Sequence, residues 1–186
     1  EYSKVVEHAA ISLRSVGLQL ILSTCIVATA TSVMAQMIGP EAEFDRLQVR
    51  AEDAMANGDP ESAAQFAGRA ALQAAMVARK AVTPAEVSVW GGMEWLLRSQ
   101  ESGYRAVALF TRAGEQLPAS TGVCGSLSLA YVHGKKSQVH LEASAVQGLS
   151  PEGHTRRQHL WESRRAWEHT ITSLQDEYQC LRTELP

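Results

Sequence analysis

From Glu43 onward, apolar residues recur at every third or fourth position, the period of a helix with one buried face. The first such stretch runs from about Glu43 to Asn57 and keeps Leu47, Ala51 and Ala54 on one side. Gly58-Asp-Pro marks a turn, and a second helix continues to Val82. Thr83-Pro84-Ala85-Glu86 is a helix start: Thr caps free N–H groups, Pro suits the first turn, and Glu completes a capping box. Ser150-Pro151 repeats part of that signal, and Gly134 and Gly148 stand where helices are expected to stop. After Gly153 no Gly or Pro interrupts the chain until about Thr183. Leu160, Trp167, Leu174 and Leu181 recur every seven residues there, with Ile171 and Tyr178 between them and Arg164 breaking the stripe. The pattern predicts an all-α protein in three parts: 1–40, 41–150 and 151–186.

The first part has a different texture. From Ser15 to Pro40 the chain carries no charged side chain for 26 residues. A helix crosses a bilayer with ~20 apolar residues, so residues 16–38 suffice, although Gln19 and several Ser and Thr weaken the signal. Three readings follow: a retained single-pass anchor, a secretory signal cleaved after Val33-Met34-Ala35, and a buried helix of a soluble core. The retained anchor is favoured. Basic residues do not orient it, because Lys4 and Arg14 precede the segment and Arg46 and Arg50 follow it.

Composition narrows the core. Hydrophobic residues make up 45% but aromatics only 6%, so small side chains must pack helices at short range. The formal charge of −3 supplies no broad basic field, which argues against nucleic acid as a partner.

Prolines at 84, 118 and 151 fall 34 and 33 residues apart, and each is read as opening a helix-turn-helix unit. Between Pro84 and Pro118, Trp90, Ala106, Phe110, Ala113 and Pro118 stand at the spacings of a tetratricopeptide repeat, which this stretch resembles. Met93, Glu94 and Leu97 depart from the family's Leu, Gly and Tyr. The next stretch resembles it again through Cys124, Leu127, Ser128 and Tyr131, then Val139, Ala143, Val146 and Pro151. A weaker first unit carries Ala63, Ala67 and Ala70 but has Arg50 in a Leu position. The resemblance covers about 108 residues and implies a short α-solenoid of antiparallel helix pairs, closed by the C-terminal helix as a cap. It also implies a partner-binding groove lined by Ser88, Gly91, Trp95, Arg98 and Ser99, then Gly122, Gly125, Leu129, Val132 and His133, and extended by Asp45, Gln48 and Glu52. The Lys and Asn set that clamps a carboxylate terminus in chaperone-binding members is missing. An apolar segment or partner helix fits such a lining better. Trp95 packed against a neighbouring helix is the competing reading. Trp161, with Arg157 or Arg165 one turn away, is a second candidate anchor for a partner.

Catalytic signatures are not apparent. His154 and His159 are five apart, so one helix face does not present both, and His133 and His140 straddle an expected turn. Neither a phosphate loop nor a Gly-x-Ser-x-Gly elbow occurs. The three cysteines leave two readings: Cys124 and Cys180 bridged across the last helix, or Cys124 as a small buried hydrophobe. The sequence therefore points to a non-catalytic scaffold without cofactor or metal, membrane-anchored as an accessory subunit of a larger complex. The alternative is a soluble exported binding protein, periplasmic or secreted.

Overall fold

The computed structural model describes residues 39–144 and 148–180. The apolar segment 16–38, Cys25, Val146 and Leu181 lie outside them. Five helices and no strand are found among the described residues: α1 (Pro40–Ala56), α2 (Pro60–Lys80), α3 (Pro84–Arg112), α4 (Thr121–Ala143) and α5 (Pro151–Glu177). The all-α expectation holds, and the first two helices and their Gly58 turn lie where the periodicity placed them.

Their starts have local causes. Asp59 caps α2 by accepting the Ser62 N–H at 3.0 Å, Thr83 caps α3 from Glu86 N–H at 3.2 Å, and Ser150 caps α5 from Gly153 N–H at 3.1 Å. Pro60, Pro84 and Pro151 occupy first-turn positions, where a missing N–H costs nothing.

The expected interruptions differ. Between Pro84 and Pro118 the chain was expected to turn, yet α3 runs unbroken for 29 residues. Gly103 and the serines around it do not end the helix, because each answers a packing demand. Ser102 Oγ donates to the Arg98 carbonyl at 3.0 Å, and a β-carbon at Gly103 would lie 2.6 Å from Trp167 Cζ2. Gly134 likewise sits inside α4, backed by Ser99 Oγ, and does not stop the helix. Gly148 does turn the chain, with φ +94. Pro118 opens no helix; Gly114 and Glu115 end the α3 segment with positive φ, and Ser120 caps α4. The last helix stops at Glu177, short of Thr183, as Gln179 takes φ 55 and Cys180 N–H returns to the Gln175 carbonyl.

Adjacent helices run antiparallel, while α1, α3 and α5 run parallel to one another. Phe44 of α1 meets Trp90 of α3 edge-on at 5.2 Å, and Trp167 of α5 meets Tyr104 at 5.3 Å in the same manner. Phe44, Leu47, Trp90, Met93, Leu96, Leu97, Leu141 and Leu160 share the main core with alanines of α2. Ala63, Ala67, Ala70 and Ala106 are fully buried, as close packing requires, whereas Ala113 and Ala143 at helix ends are exposed. The C-terminal stripe turns inward: Leu160, Ile171 and Tyr178 are buried, and Arg164 is accommodated by donating to Glu168 at 2.7 Å. Glu168 also accepts from Lys135 of α4 at 2.7 Å.

Cys124 and Cys180 form a disulfide, which settles the two readings in favour of the bridge. It joins the start of α4 to the end of α5 across 56 positions of sequence. Beside it Phe110 and Tyr178 stack at 3.9 Å, and Ala119 N–H donates to the Tyr178 carbonyl at 3.0 Å. A loop of that length implies about 4 kcal/mol of stabilisation through the unfolded chain. Reduction, or Cys180→Ser, is therefore expected to lower the unfolding free energy by up to that amount in a urea titration. An unchanged midpoint would show that the bridge contributes nothing.

Candidate functional site

α3 is the central helix, and its opposite faces meet different surroundings. One face carries Met93, Leu96, Leu97 and Gln100 toward α1 and α5, where Phe44, Gln48, Glu52, His159, Leu160 and Ser163 complete a small cleft of about 90 Å³. The opposite face carries Glu94, Trp95, Arg98 and Glu101, bordered by α2 and α4. On α2, Leu72 and Met76 continue the row of Gly68, which faces the Glu101 carboxylate. Both are exposed.

The Trp95 surface is built from three layers of chemistry. Lys136 places Nζ 4.2 Å from the Trp95 ring centroid, and the His133 ring lies tilted at 5.2 Å. A cation over an indole contributes about 0.5–1 kcal/mol at an exposed site. Arg98 reaches Glu101 at 3.4 Å, and Glu101 also takes Arg105 at 2.8 Å. Beyond these, Leu129 is 45% exposed and Val139 is 64% exposed, with Val132 half-buried between them. Partial burial pushes the His133 imidazole below its ordinary 6.5, and the charges of Lys136 and Arg98 push it the same way. A bond to the Arg98 backbone and the charge of Glu101 act against that shift.

The candidates from sequence divide accordingly. Trp95 and Arg98 of α3 meet His133 of α4, Leu129 and Val132 stand on the outer side of α4, and Ser88 is half-buried. Gly91 and Ser99 do not line a groove. A β-carbon at Gly91 would lie 2.8 Å from His140 Nδ1, so this glycine is the place where α4 closes on α3. Ser99 is fully buried; its Oγ donates to the Ala130 carbonyl at 2.6 Å and accepts Trp167 Nε1–H at 2.9 Å. Gln48 and Glu52 belong to the cleft on the other side of α3 and do not extend the Trp95 surface. Asp45 is exposed on α1. Trp161 is 36% exposed on α5, and its cationic neighbour is Arg164, 5.5 Å from the ring centroid. Arg157 borders the same surface but spends Nε on Ser144 Oγ at 2.8 Å.

One feature escaped sequence reasoning. Because α1, α3 and α5 are parallel, Pro40, Pro84 and Pro151 come to the same end of the fold. A cavity of about 280 Å³ lies there, with Val77, Val89, Trp90, Lys80 and Val82 in its wall. Arg156 covers it, stacked 4.2 Å over Trp90 and paired with Glu41 at 3.3 Å. The helix-start prolines were a visible signal, but their shared end depended on the parallel packing of non-adjacent helices.

No family model, curated protein or solved structure matches this chain. Among the described residues, no group of three or more His, Cys, Asp or Glu is placed to hold a metal ion. The Trp95 surface carries an indole, cations and the His133 imidazole, whose Nδ1 lies 3.5 Å from Ser102 Oγ.

Two measurements follow. Ser99→Ala leaves the part-buried Trp167 indole N–H without its Ser99 acceptor and should cost about 1 kcal/mol of stability, read by denaturant unfolding. In an NMR pH titration the His133 imidazole should show a midpoint below 6.5. Its depressed folded value makes its contribution to stability present above 6.5 and lost as pH falls through the folded midpoint. A midpoint at or above 6.5 would contradict the burial described.

Proposed function

We propose that this protein is a non-catalytic docking module, held at a membrane by residues 16–38 as an accessory subunit of a larger complex. The observation that carries the proposal is the α3–α4 surface, where Trp95, Leu129, Val132 and Val139 remain accessible beside Lys136 and Arg98. An aromatic anchor with cations and flanking aliphatic side chains has the composition of an interface centre. Its flat helical construction favours a partner helix or an apolar extended segment over a small molecule. The resemblance to tetratricopeptide repeats enters as an analogy of use, long helices side by side presenting one broad face. The unbroken α3 and α4 are the departure from it.

The Cys124–Cys180 bridge supports placing the helical part in an oxidising compartment, since such bonds are rare among reduced cytosolic thiols. It also supports the second reading, a soluble exported binding protein released by cleavage after Ala35. No helix among the described residues is long and apolar enough to cross a membrane, so the anchor rests on the sequence of residues 16–38.

Alkaline carbonate extraction of membranes separates the readings: the anchored protein stays in the pellet, and its release without detergent would remove the anchor. A mature chain starting at Gln36, found by mass spectrometry, would favour the exported form. For the docking surface, Trp95→Ala should weaken retention of co-purifying chains at least tenfold in mild detergent, while Trp161→Ala should not. The reverse pattern would move the site to α5.

A further inference from the structure

We propose that the cavity at the end of the fold shared by Pro40, Pro84 and Pro151 binds a zwitterionic phosphoester, the chemistry of an amino-alcohol phospholipid headgroup. The site is separate from the Trp95 surface. Only the source of its ligand rests on the membrane reading of residues 16–38.

The first observation is unpaired charge of both signs around one cavity. Lys80, Glu86, Glu152 and Arg156 all border it. Among the described residues, the side chains of Lys80, Glu86 and Glu152 have no hydrogen bond or ion pair. Elsewhere in the fold carboxylates near cations are used fully: Glu43, Glu101 and Glu168 each take two. Arg156 gives one N–H to Glu41 at 3.3 Å and rests on the Trp90 ring. A guanidinium has several further donors, so most of its capacity remains. An ammonium and a guanidinium facing the same space as two carboxylates suit a ligand that carries an anion and a cation together.

The second observation is the surroundings of these charges. Val77, Val89 and Trp90 form an apolar wall, which strengthens electrostatic contacts made against it. Val82, 91% exposed, and Leu149 add an apolar rim. Three helix starts bring partial positive charge to this end, and the close of α2 at Lys80 brings partial negative charge. At about 280 Å³ the cavity falls at the lower edge of ligand pockets, which run ~300–1,000 Å³. It is sized for a headgroup rather than a larger molecule.

The third observation selects the source. Pro40 is part of the cavity wall and stands two positions after residue 38 in sequence. Two residues span at most about 7 Å. The headgroup layer on each side of the hydrocarbon is roughly 5–8 Å deep. A chain that crosses the bilayer through residues 16–38 therefore brings the cavity to headgroup depth. There a zwitterionic headgroup offers its phosphate to Lys80 and Arg156 and its ammonium to Glu86 and Glu152. A purely anionic headgroup leaves both carboxylates unanswered.

Native mass spectrometry of the full chain in nonionic detergent tests this, with dioleoyl phosphatidylethanolamine and dioleoyl phosphatidylglycerol offered together. The expected result is one phosphatidylethanolamine retained per chain, at least fivefold in excess of phosphatidylglycerol. Glu86→Gln removes the half-buried carboxylate at constant shape, and Lys80→Ala removes an exposed cation. Each should lower retention at least fivefold with helical circular dichroism unchanged. Equal retention of the two lipids overturns the inference. So does retention that survives both substitutions, since the lipid is then held elsewhere, for instance along residues 16–38. Soluble glycerophosphoethanolamine separates the site from its source. If alkaline carbonate releases the chain, yet Glu86→Gln abolishes binding of the soluble headgroup, the cavity stands with a free phosphoester as ligand and the anchor alone falls. An anchored chain that binds neither the lipid nor the soluble headgroup sinks the cavity and leaves the anchor standing.

Discussion

The fold depends on how closely α4 and α5 can approach α3, and small side chains on α3 set that distance. At Gly92 the Leu160 side chain comes in where a β-carbon would stand 2.9 Å away, and at Gly103 the Trp167 ring does so at 2.6 Å. Between them Ser99 gives one hydroxyl to two neighbours, donating to α4 and accepting from the Trp167 indole. A larger residue at any of these three positions would push one helix off the other. The polar bonds fix the register, and the apolar contacts around them supply most of the free energy, since a single buried hydrogen bond nets only about 1 kcal/mol.

This close packing also decides how the tryptophans are seated. Trp167 enters the space that Gly103 leaves, while Trp95 on α3, half-buried like Trp167, lies against His133 of α4. The Trp95 ring is left at the surface under Lys136.

The C-terminal helix shows how a charge enters such a core. Arg164 breaks an apolar stripe, yet the helix stays seated because Glu168, one turn on, takes both Arg164 and Lys135. The hydrogen bond from Lys135 is the leading reason that the Glu168 carboxyl is held below its ordinary range. At the far end the Cys124–Cys180 bridge and the Phe110–Tyr178 stack hold the end of α5. The apolar stripe and the covalent tie therefore divide the length of one helix.

By itself the sequence determined the all-helical class, the first two helices and the caps at Thr83 and Ser150, because these follow from periodicity and from bonds made within four residues. It also singled out Trp95 and His133, whose rings lie 5.2 Å apart. What only the tertiary structure decided was the meaning of the glycines and serines. Gly134 read locally as a place to stop, yet it and Gly103 are places where another helix arrives, so α3 and α4 continue. The family resemblance put Ser99 and Gly91 in a groove lining, and both are buried under α4. A small side chain has the same local signature in a turn, a groove or a helix crossing; only the neighbour from a distant part of the chain distinguishes them.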